Sequence, residues 1–501
     1  MTKKYKILII IVSLIYVVYH LITLSFSPLP WFDEVCFTGM TNSYIKAHTF
    51  YQETIAIEMP RQNAMYGPMF FALQAFIIKS FGWSMFWFRL SNLLFGIADL
   101  FLVYKICQYL KFKPQAILIT ITIIAFERSY NQFLHSGRMD FMTIFFFLAS
   151  YLTFVKIEGK VNLRWILLAL STGVLLSVSL LTTPRIIFAM SFYCFYFIYE
   201  LYENRKGGMA EVLLKYGIIL VILCTLFYVW VYIEFGTLQN FVYVNYTSDE
   251  RVRKHVGFGH EGTKFNSGML YFAYAFVCVA LLFLKREAYR NIKLLLFTIP
   301  VIIFFLILVG GGISGRYYAM IAPFVTILIV GITVNLYSEQ LFKVSSYAII
   351  GLLVVAFVFK GFYVFATWQE RDPVYNEQRI MQYIPARSTV AGDFEYYYFS
   401  RRKDCFFQCL KENGLPNTVL RYYMTHNYDY IIFNKNNQEL DNYKTWVLKN
   451  RYQLIATVDD PPRAAWLSAI INKLGYRITE SYACYIYKYV GDGQASQLLK
   501  P

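Results

Sequence analysis

Long apolar runs recur along this chain and constrain its fold more than any other feature. Hydrophobic residues make up 57% of the 501 residues and the mean hydropathy is +0.43, which is too apolar for a soluble protein of this length. A helix of about 20 apolar residues crosses the bilayer core. We count eleven such runs, of which the third and fourth are short, at residues 7–26, 86–109, 115–129, 140–155, 163–182, 186–201, 211–232, 267–284, 292–309, 317–335 and 344–365. The sequence therefore predicts a polytopic α-helical membrane protein.

Two further apolar segments need a separate interpretation. The run at 66–82 contains only about a dozen apolar residues, which favours an interfacial or re-entrant helix over a crossing. The N-terminus has the basic start and apolar stretch of a signal peptide. That stretch is long, however, and no small-residue cleavage site follows it. We therefore expect an uncleaved first span.

The loop charges predict the orientation in an integral plasma (inner) membrane. A cytoplasmic N-terminus puts these basic residues on the cytoplasmic side: Lys3, Lys4, Lys6, Lys111, Lys113, Lys156, Lys160, Arg164, Arg205, Lys206, Lys285, Arg286, Arg290, Lys293 and Lys343. This pattern follows the positive-inside tendency, which explains the net charge of +16 without nucleic-acid binding. Eleven crossings then place the C-terminal part outside, together with the loops at 27–85, 127–140, 233–266 and 310–318.

The composition changes after about residue 366. β-Branched and aromatic residues predict strands within 384–399, 428–436 and 481–490. The segment 439–452 is typical of a helix. We therefore expect a membrane domain at 1–365, followed by a small extracytoplasmic α/β domain at 366–501.

Cysteine and histidine patterns give weak signals. The eight cysteines contain no CxxC pair, so they do not indicate a zinc site. Cys405 and Cys409 lie in the part expected outside the cytoplasm, and their spacing leaves a disulfide open. His255, His260 and Glu261 are weak candidates for metal ligands, because their spacing is loose and favours an ordinary polar loop.

Two adjacent carboxylates, Asp33 and Glu34, follow the first span in the stretch LPWFDEVCFTG. Acidic residues at the start of a helix are favoured by its dipole, which needs no chemistry. Neighbouring helical residues point about 100° apart. Only one of the two is then expected to face a given site, which argues against a pair sharing one proton.

Three arginines lie at membrane boundaries on the expected outer side, namely Arg138, Arg185 and Arg316. Snorkelling explains an arginine at the end of a span, but the positive-inside tendency does not explain three on this side. Ionisable residues at such depths are costly and often functional. The arrangement predicts an anion site.

Several motifs follow one another in an order that points to a known family. The acidic pair Asp33–Glu34 is followed by the block YGPMFFALQAFIIKSFGWSMFWFRLSNLLFGIADLFLVYKI, then NQFLHSGRMDFMTIFFFLASY, LTTPR and GRYYAMIAPF. Each motif alone is weak, but their order resembles the dolichyl-phosphate-mannose protein mannosyltransferase-like group, which includes aminoarabinose transferases, of the glycosyltransferase C superfamily. Two departures are Tyr66-Gly67-Pro68, where the family often has His or Lys with Pro-Pro, and Thr183 in place of a lysine.

The resemblance implies a membrane glycosyltransferase that moves a hexosyl or pentosyl group, with inversion, from a polyprenyl-phosphate donor to an acceptor hydroxyl at the outer face. The departing phosphate needs positive charge, and the acceptor needs a base. Asp33 is the implied base, and Glu34 would orient the loop or bind a metal. The implied substrate-binding residues are Arg138, Asp140, Arg316, Tyr317, Tyr66 and Arg185. The resemblance implies no certain cofactor, leaves a divalent metal open, and leaves a glycan, lipid or protein as acceptor.

The alternative is a polytopic transporter or a flippase for lipid-linked sugars. Inverted repeats and broken helices at mid-membrane would indicate it, but no inverted repeat is visible and the polar residues cluster at one face. A non-catalytic scaffold is a third interpretation. We expect an enzyme to bring Asp33, Arg138 and Arg316 to one cavity, where Asp140 would either orient Arg138, which we favour, or bind the sugar.

Overall fold

The structure is a computed structural model. It describes residues 3–48, 54, 66–183, 186–242, 292–309, 315–337, 340–409, 427–435, 452–462, 465–473 and 481–491.

All regular elements among the described residues of the membrane part are helices. Its helices are α1 (Lys3–Thr23), α2 (Phe32–Ala47), α3 (Pro68–Phe81), α4 (Met85–Tyr109), α5 (Pro114–Phe126), α6 (Arg128–Leu134), α7 (Asp140–Phe154), α8 (Leu163–Thr182), α9 (Ile187–Glu203), α10 (Met209–Phe235), α11 (Leu238–Val242), α12 (Ile292–Val309), α13 (Gly315–Val330) and α14 (Gln340–Ala366). A π-helical turn, Gly331–Tyr337, follows α13. Among the described residues, five segments are long and apolar enough to cross a membrane: Lys3–Thr23, Met85–Tyr109, Leu163–Thr182, Met209–Phe235 and Tyr347–Ala366.

Most of the predicted spans correspond to helices, although the count of eleven stays a prediction. The predicted span at 267–284 lies outside the described residues. The run predicted at 115–129 ends earlier, at Phe126. The reason is local, because the Glu127 side chain accepts a hydrogen bond from the Tyr130 backbone N–H at 2.6 Å and starts the new short helix α6.

The short apolar run at 66–82 forms one helix, α3, which has 14 residues. Pro68 occupies its first turn, where a missing N–H costs nothing. Gly82 ends it with φ 72°, a conformation that glycine adopts without strain. Helix α3 packs against α2 and α8, so it lies beside the helix that carries Asp33 and Glu34.

The start of α3 contacts the end of α8 with no room for a side chain. A Cβ atom on Gly67 would lie 1.8 Å from the Leu181 backbone oxygen. We expect Gly67→Ala to destabilise the protein by about 1–3 kcal/mol, the usual effect of overpacking. Thermal unfolding of the purified protein measures this. Gly217→Ala is the matched control, because nothing lies within 4 Å of its added Cβ; equal unfolding temperatures for the two variants would contradict the close contact.

After α14 the chain forms a small mixed domain. Its elements are α15 (Trp368–Arg371), α16 (Pro373–Met381), β1 (Thr389–Gly392), α17 (Tyr397–Arg402), β2 (Phe406–Cys409), β3 (Tyr430–Asn434), β4 (Tyr452–Val458), α18 (Ala465–Lys473) and β5 (Cys484–Tyr489). The strands make one five-stranded sheet in the order β2-β1-β3-β5-β4. Strand β1 pairs in parallel with β2 and β3, whereas β5 pairs antiparallel with β3 and β4.

The sequence predicted this domain's elements unevenly. The segments 428–436 and 481–490 contain β3 and β5 as predicted. In 384–399 only Thr389–Gly392 is a strand, and the aromatic part that follows is a 3₁₀ turn leading into α17. Strand preference mostly reflects burial against neighbours, and these aromatic side chains are buried on a helix instead. The helix predicted at 439–452 lies outside the described residues, apart from Tyr452, which begins β4.

The strand geometry excludes a disulfide between Cys405 and Cys409. Cys405 directly precedes β2, and Cys409 is the last residue of this extended strand. Four residues of strand span about 13 Å, whereas a disulfide needs Cα atoms within about 7 Å. Each cysteine is buried, and neither forms a disulfide.

The sheet domain packs against α2 and α4 of the membrane part. One buried apolar cluster contains Val35 of α2 and Phe88 of α4 together with Ile380, Tyr398 and Phe407 of the sheet domain. This contact places α17 directly over the start of α2, where the acidic pair lies.

Candidate functional site

The acidic pair lies in the first turn of α2, which begins one residue after Trp31. Trp31 has extended backbone angles and provides no side-chain cap, so the carboxylates of Asp33 and Glu34 stand where the helix dipole favours negative charge. Their side chains take different directions, as the helical spacing predicted. The Asp33 side chain is 13% exposed, whereas that of Glu34 is fully buried.

Glu34 forms a buried ion pair with Arg89 of α4. Arg89 Nε donates to Glu34 Oε1 at 2.9 Å, and Nη2 donates to Oε2 at 2.8 Å. This two-bond geometry is the strongest that the pair can make. Arg89 Nη1 also donates to the carbonyls of Leu24 and Pro28, at 2.9 and 2.8 Å. The pair therefore ties α2 and the end of α1 to α4.

The loop between α6 and α7 lies against the same carboxylate. The Gly137 backbone N–H donates to Glu34 Oε1 at 3.3 Å, and a Cβ on Gly137 would lie 3.2 Å from that oxygen. Gln74 of α3 donates to the Gly137 carbonyl at 3.2 Å, and Asn92 of α4 donates to the Ser136 carbonyl. Three helices thus hold the loop that carries Arg138.

Arg138 joins the loop to Asp33. Its guanidinium is almost fully buried, with Nη1 donating to Asp33 Oδ2 and Nε donating to Asp140 Oδ2, the latter at 2.6 Å. Burial works to lower the pKa of Arg138, but Asp140 and then Asp33 outweigh it and raise that pKa. The third nitrogen, Nη2, is buried and has no hydrogen-bond partner among the described residues. This donor is therefore available to an anion.

Aromatic rings frame the guanidinium. The Arg138 Cζ atom lies 5.5 Å from the Trp31 ring centroid and 5.6 Å from that of Phe37, within cation–π range. Tyr66 packs edge-on against Phe37, with ring centroids 4.9 Å apart. Of the predicted site residues, the structure thus brings together Asp33, Glu34, Arg138, Asp140 and Tyr66.

For two of the remaining candidates, the structure describes the position of the backbone but not that of the side chain. The backbone puts Arg316 and Tyr317 in the first turn of α13, which packs against α5 and α6. Arg185 lies outside the described residues, as do His255, His260 and Glu261. Among the residues that the structure does describe, no three His, Cys, Asp or Glu side chains are grouped to hold a metal ion.

The sheet domain contributes a residue that the sequence did not reveal. The Thr38 hydroxyl donates to the Glu34 carbonyl at 2.7 Å, and the Tyr398 hydroxyl lies 3.1 Å from the same Thr38 oxygen. Since Thr38 uses its proton for the carbonyl, Tyr398 donates to Thr38. Burial, followed by the charge of Glu34, raises the pKa of Tyr398, so Tyr398 keeps that proton. No motif links α17 to α2, and only the folded structure brings them together.

Two buried histidines, His20 and His135, form a contact that no sequence motif indicates. His20 Nδ1 lies 2.5 Å from His135 Nε2, and His135 Nδ1 lies 2.6 Å from the Ser27 carbonyl. A carbonyl only accepts, so His135 donates to Ser27 and accepts from His20. The pair connects α1 to the loop that carries Arg138.

We expect Glu34→Gln to act first on stability. Removing one charge from a buried ion pair leaves its partner unpaired and costs about 3–5 kcal/mol. Thermal unfolding of purified Glu34→Gln, Arg89→Gln and the double variant measures the coupling. The double variant should be more stable than the sum of the single losses predicts. Strictly additive losses would show that the two side chains do not depend on each other.

Comparisons with known proteins agree with this architecture. Residues 9–245 match the family model described as dolichyl-phosphate-mannose-protein mannosyltransferase, while no curated protein gives a significant match. ArnT from Cupriavidus metallidurans bound to undecaprenyl phosphate superposes with TM-score 0.60 and 11% identity, covering 98% of this chain and 99% of that chain. The apo state of the same ArnT gives TM-score 0.54 and 11% identity, covering 99% of each chain.

A third structure, the S. cerevisiae protein O-mannosyltransferase Pmt1-Pmt2 complex bound to the sugar donor, gives TM-score 0.39 and 20% identity, covering 47% of this chain and 34% of that chain. The likeness to ArnT shows that this chain has the ArnT-like fold, and its apolar helices indicate a polytopic helical membrane protein. The family match and this fold together confirm the resemblance that the order of the sequence motifs indicated.

Proposed function

We propose that this relative of the dolichyl-phosphate-mannose-protein mannosyltransferases transfers a sugar from a polyprenyl-phosphate donor to an acceptor hydroxyl at the outer face of the membrane. The observation that carries the proposal is the contact between Asp33 and Arg138, in which the guanidinium keeps one buried nitrogen without a partner among the described residues. The similar ArnT structure contains undecaprenyl phosphate, which supports a polyprenyl phosphate as the lipid part of the donor.

The geometry supports different roles for Asp33 and Arg138, the first as the base and the second as the group that binds the phosphate. The acceptor oxygen bonds to the anomeric carbon while the bond from that carbon to the phosphate oxygen breaks. Asp33 takes the acceptor proton, and the electron pair of the broken bond leaves with the polyprenyl phosphate. Arg138 Nη2 donates to this phosphate as the negative charge of the phosphate grows. The departing phosphate is the group that most needs stabilisation in this reaction. A single displacement of this kind inverts the anomeric centre.

A second carboxylic acid is not needed in this reaction, because the phosphate leaves as an anion without protonation. Glu34 is buried and accepts from Arg89 and the Gly137 N–H, so we assign it to positioning α2 and the Arg138 loop rather than to proton transfer. Asp140 accepts from Arg138 Nε and is assigned to orienting the guanidinium. Arg316, Tyr317 and Arg185 remain proposed donor contacts on sequence grounds.

The same proposal extends to the domain organisation and orientation. Residues 1–365 would be the membrane transferase domain, with the outer loop at 27–85, and 366–501 an extracytoplasmic domain. The contact of α17 with α2 supports an outer location for the sheet domain, since the donor phosphate lies at the membrane boundary. A transporter or flippase is not favoured, because the described charged cluster lies at the first turn of α2 and not at mid-membrane.

Orientation can be tested by topology reporters. We expect fusions after Lys113 and after Asn376 to give opposite signals, with the first cytoplasmic and the second extracytoplasmic. The reason is the charge of the loops together with an odd number of crossings. Reporter activity on each side of the membrane in intact cells measures this, and identical signals would contradict the odd number.

The function is tested most broadly in cells. Mass spectrometry compares the surface glycans and lipids of a deletion strain with those of the same strain complemented by the wild type or by Asp33→Asn. We expect a sugar modification to disappear on deletion and to return only with the wild type. If Asp33→Asn restores it fully, the base is assigned wrongly; if no modification changes, the transferase proposal fails.

A further inference from the structure

A cavity of about 710 Å³ lies between the sheet domain and the turn that joins α3 to α4. Its membrane-side wall is aromatic and includes Phe81, Trp83 and Trp87. Phe81 and Trp87 stack with centroids 4.3 Å apart, and the Phe81 side chain is 50% exposed. The volume is in the range of sites that hold a small ligand, and aromatic rings with polar tips are typical of the membrane–water boundary.

Two polar groups on the opposite wall lack partners. Tyr482 lines the cavity and is fully buried, and its hydroxyl has no hydrogen-bond partner among the described residues. Arg401 also lines it, with its guanidinium 4.7 Å over the Trp83 ring and a buried Nε that has no acceptor in the described part of the chain. Unpaired buried donors are costly, and here both belong to one cavity. They indicate a ligand that carries oxygen atoms.

The charges of the wall favour a neutral ligand over an anion. Arg402 is already paired with Glu377 by two bonds, Nε to Oε1 at 2.9 Å and Nη2 to Oε2 at 2.5 Å. Asp404 adds a further carboxylate to the lining, so the charges of Glu377, Arg401, Arg402 and Asp404 sum to zero. A phosphate would face these carboxylates, whereas a sugar ring can donate to them, accept from Arg401 and Tyr482, and lay its apolar face on an aromatic ring.

The cavity adjoins the proposed active site. Tyr398 lines it, and the hydroxyl of the same residue bonds to Thr38 one turn along α2 from Glu34. Pro30, three residues before Asp33, lines it as well. A ligand held here therefore touches Tyr398, which contacts the helix that carries the proposed base.

We propose that this cavity binds a neutral sugar ring of a membrane-anchored glycan acceptor, with the aromatic wall against the ring and the lipid part directed to the bilayer. The inference rests on the proposed transferase function and names the class of acceptor. It explains why the sheet domain, which supplies Arg401 and Tyr482, packs against the α3–α4 turn.

The test uses the full chain in lipid nanodiscs without any donor. A photoreactive decyl β-glucoside is crosslinked to the protein, and the labelled peptides are mapped by mass spectrometry. Decyl phosphate with the same photoreactive chain is the comparison ligand. We expect the glucoside to label residues 81–87 and 398–402 and to be displaced by unlabelled decyl glucoside but not by decyl phosphate. Displacement by the phosphate alone would overturn the proposal, and so would labelling elsewhere.

Substitutions of residues that line the cavity, compared with a control elsewhere in the sheet domain, distinguish a loss of glucoside binding from a loss of folding. Tyr482→Phe removes only the unpartnered hydroxyl, and we expect it to weaken glucoside binding about three- to tenfold, the value of one neutral hydrogen bond. Trp83→Leu should weaken binding more, whereas Trp466→Leu, a change at a 63% exposed tryptophan of α18, should not. If Tyr482→Phe and Trp83→Leu both bind like the wild type, the cavity is not the glycan site.

The outcomes also distinguish this inference from the proposed function. Asp33→Asn should keep glucoside labelling although it loses turnover of a polyprenyl-phosphate sugar. Turnover without labelling of the cavity would overturn the acceptor site and leave the transferase intact. Labelling of the cavity in a protein that turns over no polyprenyl-phosphate sugar would support the glycan site and overturn the transferase.

Discussion

Asp33→Asn is expected to lower turnover by about 10²–10⁴, the usual contribution of a general base, while donor binding stays close to that of the wild type. The substitution keeps the shape and the first-turn position of the side chain but removes the proton acceptor. The amide oxygen of the variant can still accept a hydrogen bond from Arg138, so the loop between α6 and α7 should keep its position. Release of polyprenyl phosphate by purified enzyme gives turnover, and titration with labelled donor gives affinity.

The control for this variant is Asp459→Asn. Asp459 is an exposed carboxylate of the sheet domain that pairs with Lys435, and it lies far along the chain from the acidic pair. We expect its turnover to match the wild type. If Asp33→Asn is as active as Asp459→Asn, Asp33 is not the base; if Asp33→Asn instead loses donor affinity and keeps turnover, its role is to hold Arg138.

Arg138→Lys should lower both donor affinity and turnover, although the charge is conserved. The guanidinium uses Nη1 for Asp33 and Nε for Asp140, which leaves Nη2 for the phosphate. A lysine has one nitrogen at the end of a flexible stem and cannot serve three acceptors in a fixed plane. Loss of one donor to a developing oxyanion typically costs about 10²–10³ in turnover, and we expect a loss of this size.

The competing explanation for Arg138 is snorkelling, in which a lysine serves as well as an arginine. Arg205→Lys is the matched control, because Arg205 is exposed at the end of α9 and stacks on Tyr202. Equal activity of Arg138→Lys and Arg205→Lys would show that Arg138 only snorkels at the membrane boundary and does not form an anion site. A selective loss in Arg138→Lys, with normal thermal stability, would support the anion site.

Features that depend on one physical requirement of a short segment could be predicted from the sequence. Lipid demands long apolar helices, so runs such as 163–182 and 344–365 could be located without a structure. The cost of charge at a predicted membrane boundary singled out Arg138, and the helical angle between Asp33 and Glu34 indicated that they face different partners. The contact of Asp140 with Arg138 is one of the two roles that the sequence left open for Asp140.

Contacts between distant segments could not be obtained in this way. Arg89 was visible as part of a motif, but nothing local indicates that it pairs with Glu34, 55 residues away. Tyr398 lies in an aromatic stretch that favours a strand, and its position over α2 depends on how the sheet domain docks. Strand preference of an aromatic run reports burial rather than backbone geometry, which is why α17 was mistaken for part of a strand.

Turnover of purified protein tests most directly whether the chain is a polyprenyl-phosphate-dependent sugar transferase with Asp33 as its base. Purified wild type and Asp33→Asn, each in nanodiscs, are incubated with a set of undecaprenyl-phosphate-linked hexoses and pentoses and with lipid extract from the deletion strain. We expect the wild type to release undecaprenyl phosphate from at least one donor and to glycosylate a component of the extract. We expect Asp33→Asn to bind the same donor but to release almost no undecaprenyl phosphate. Equal release by both proteins, or movement of intact lipid-linked sugar across the membrane without cleavage, would contradict this assignment.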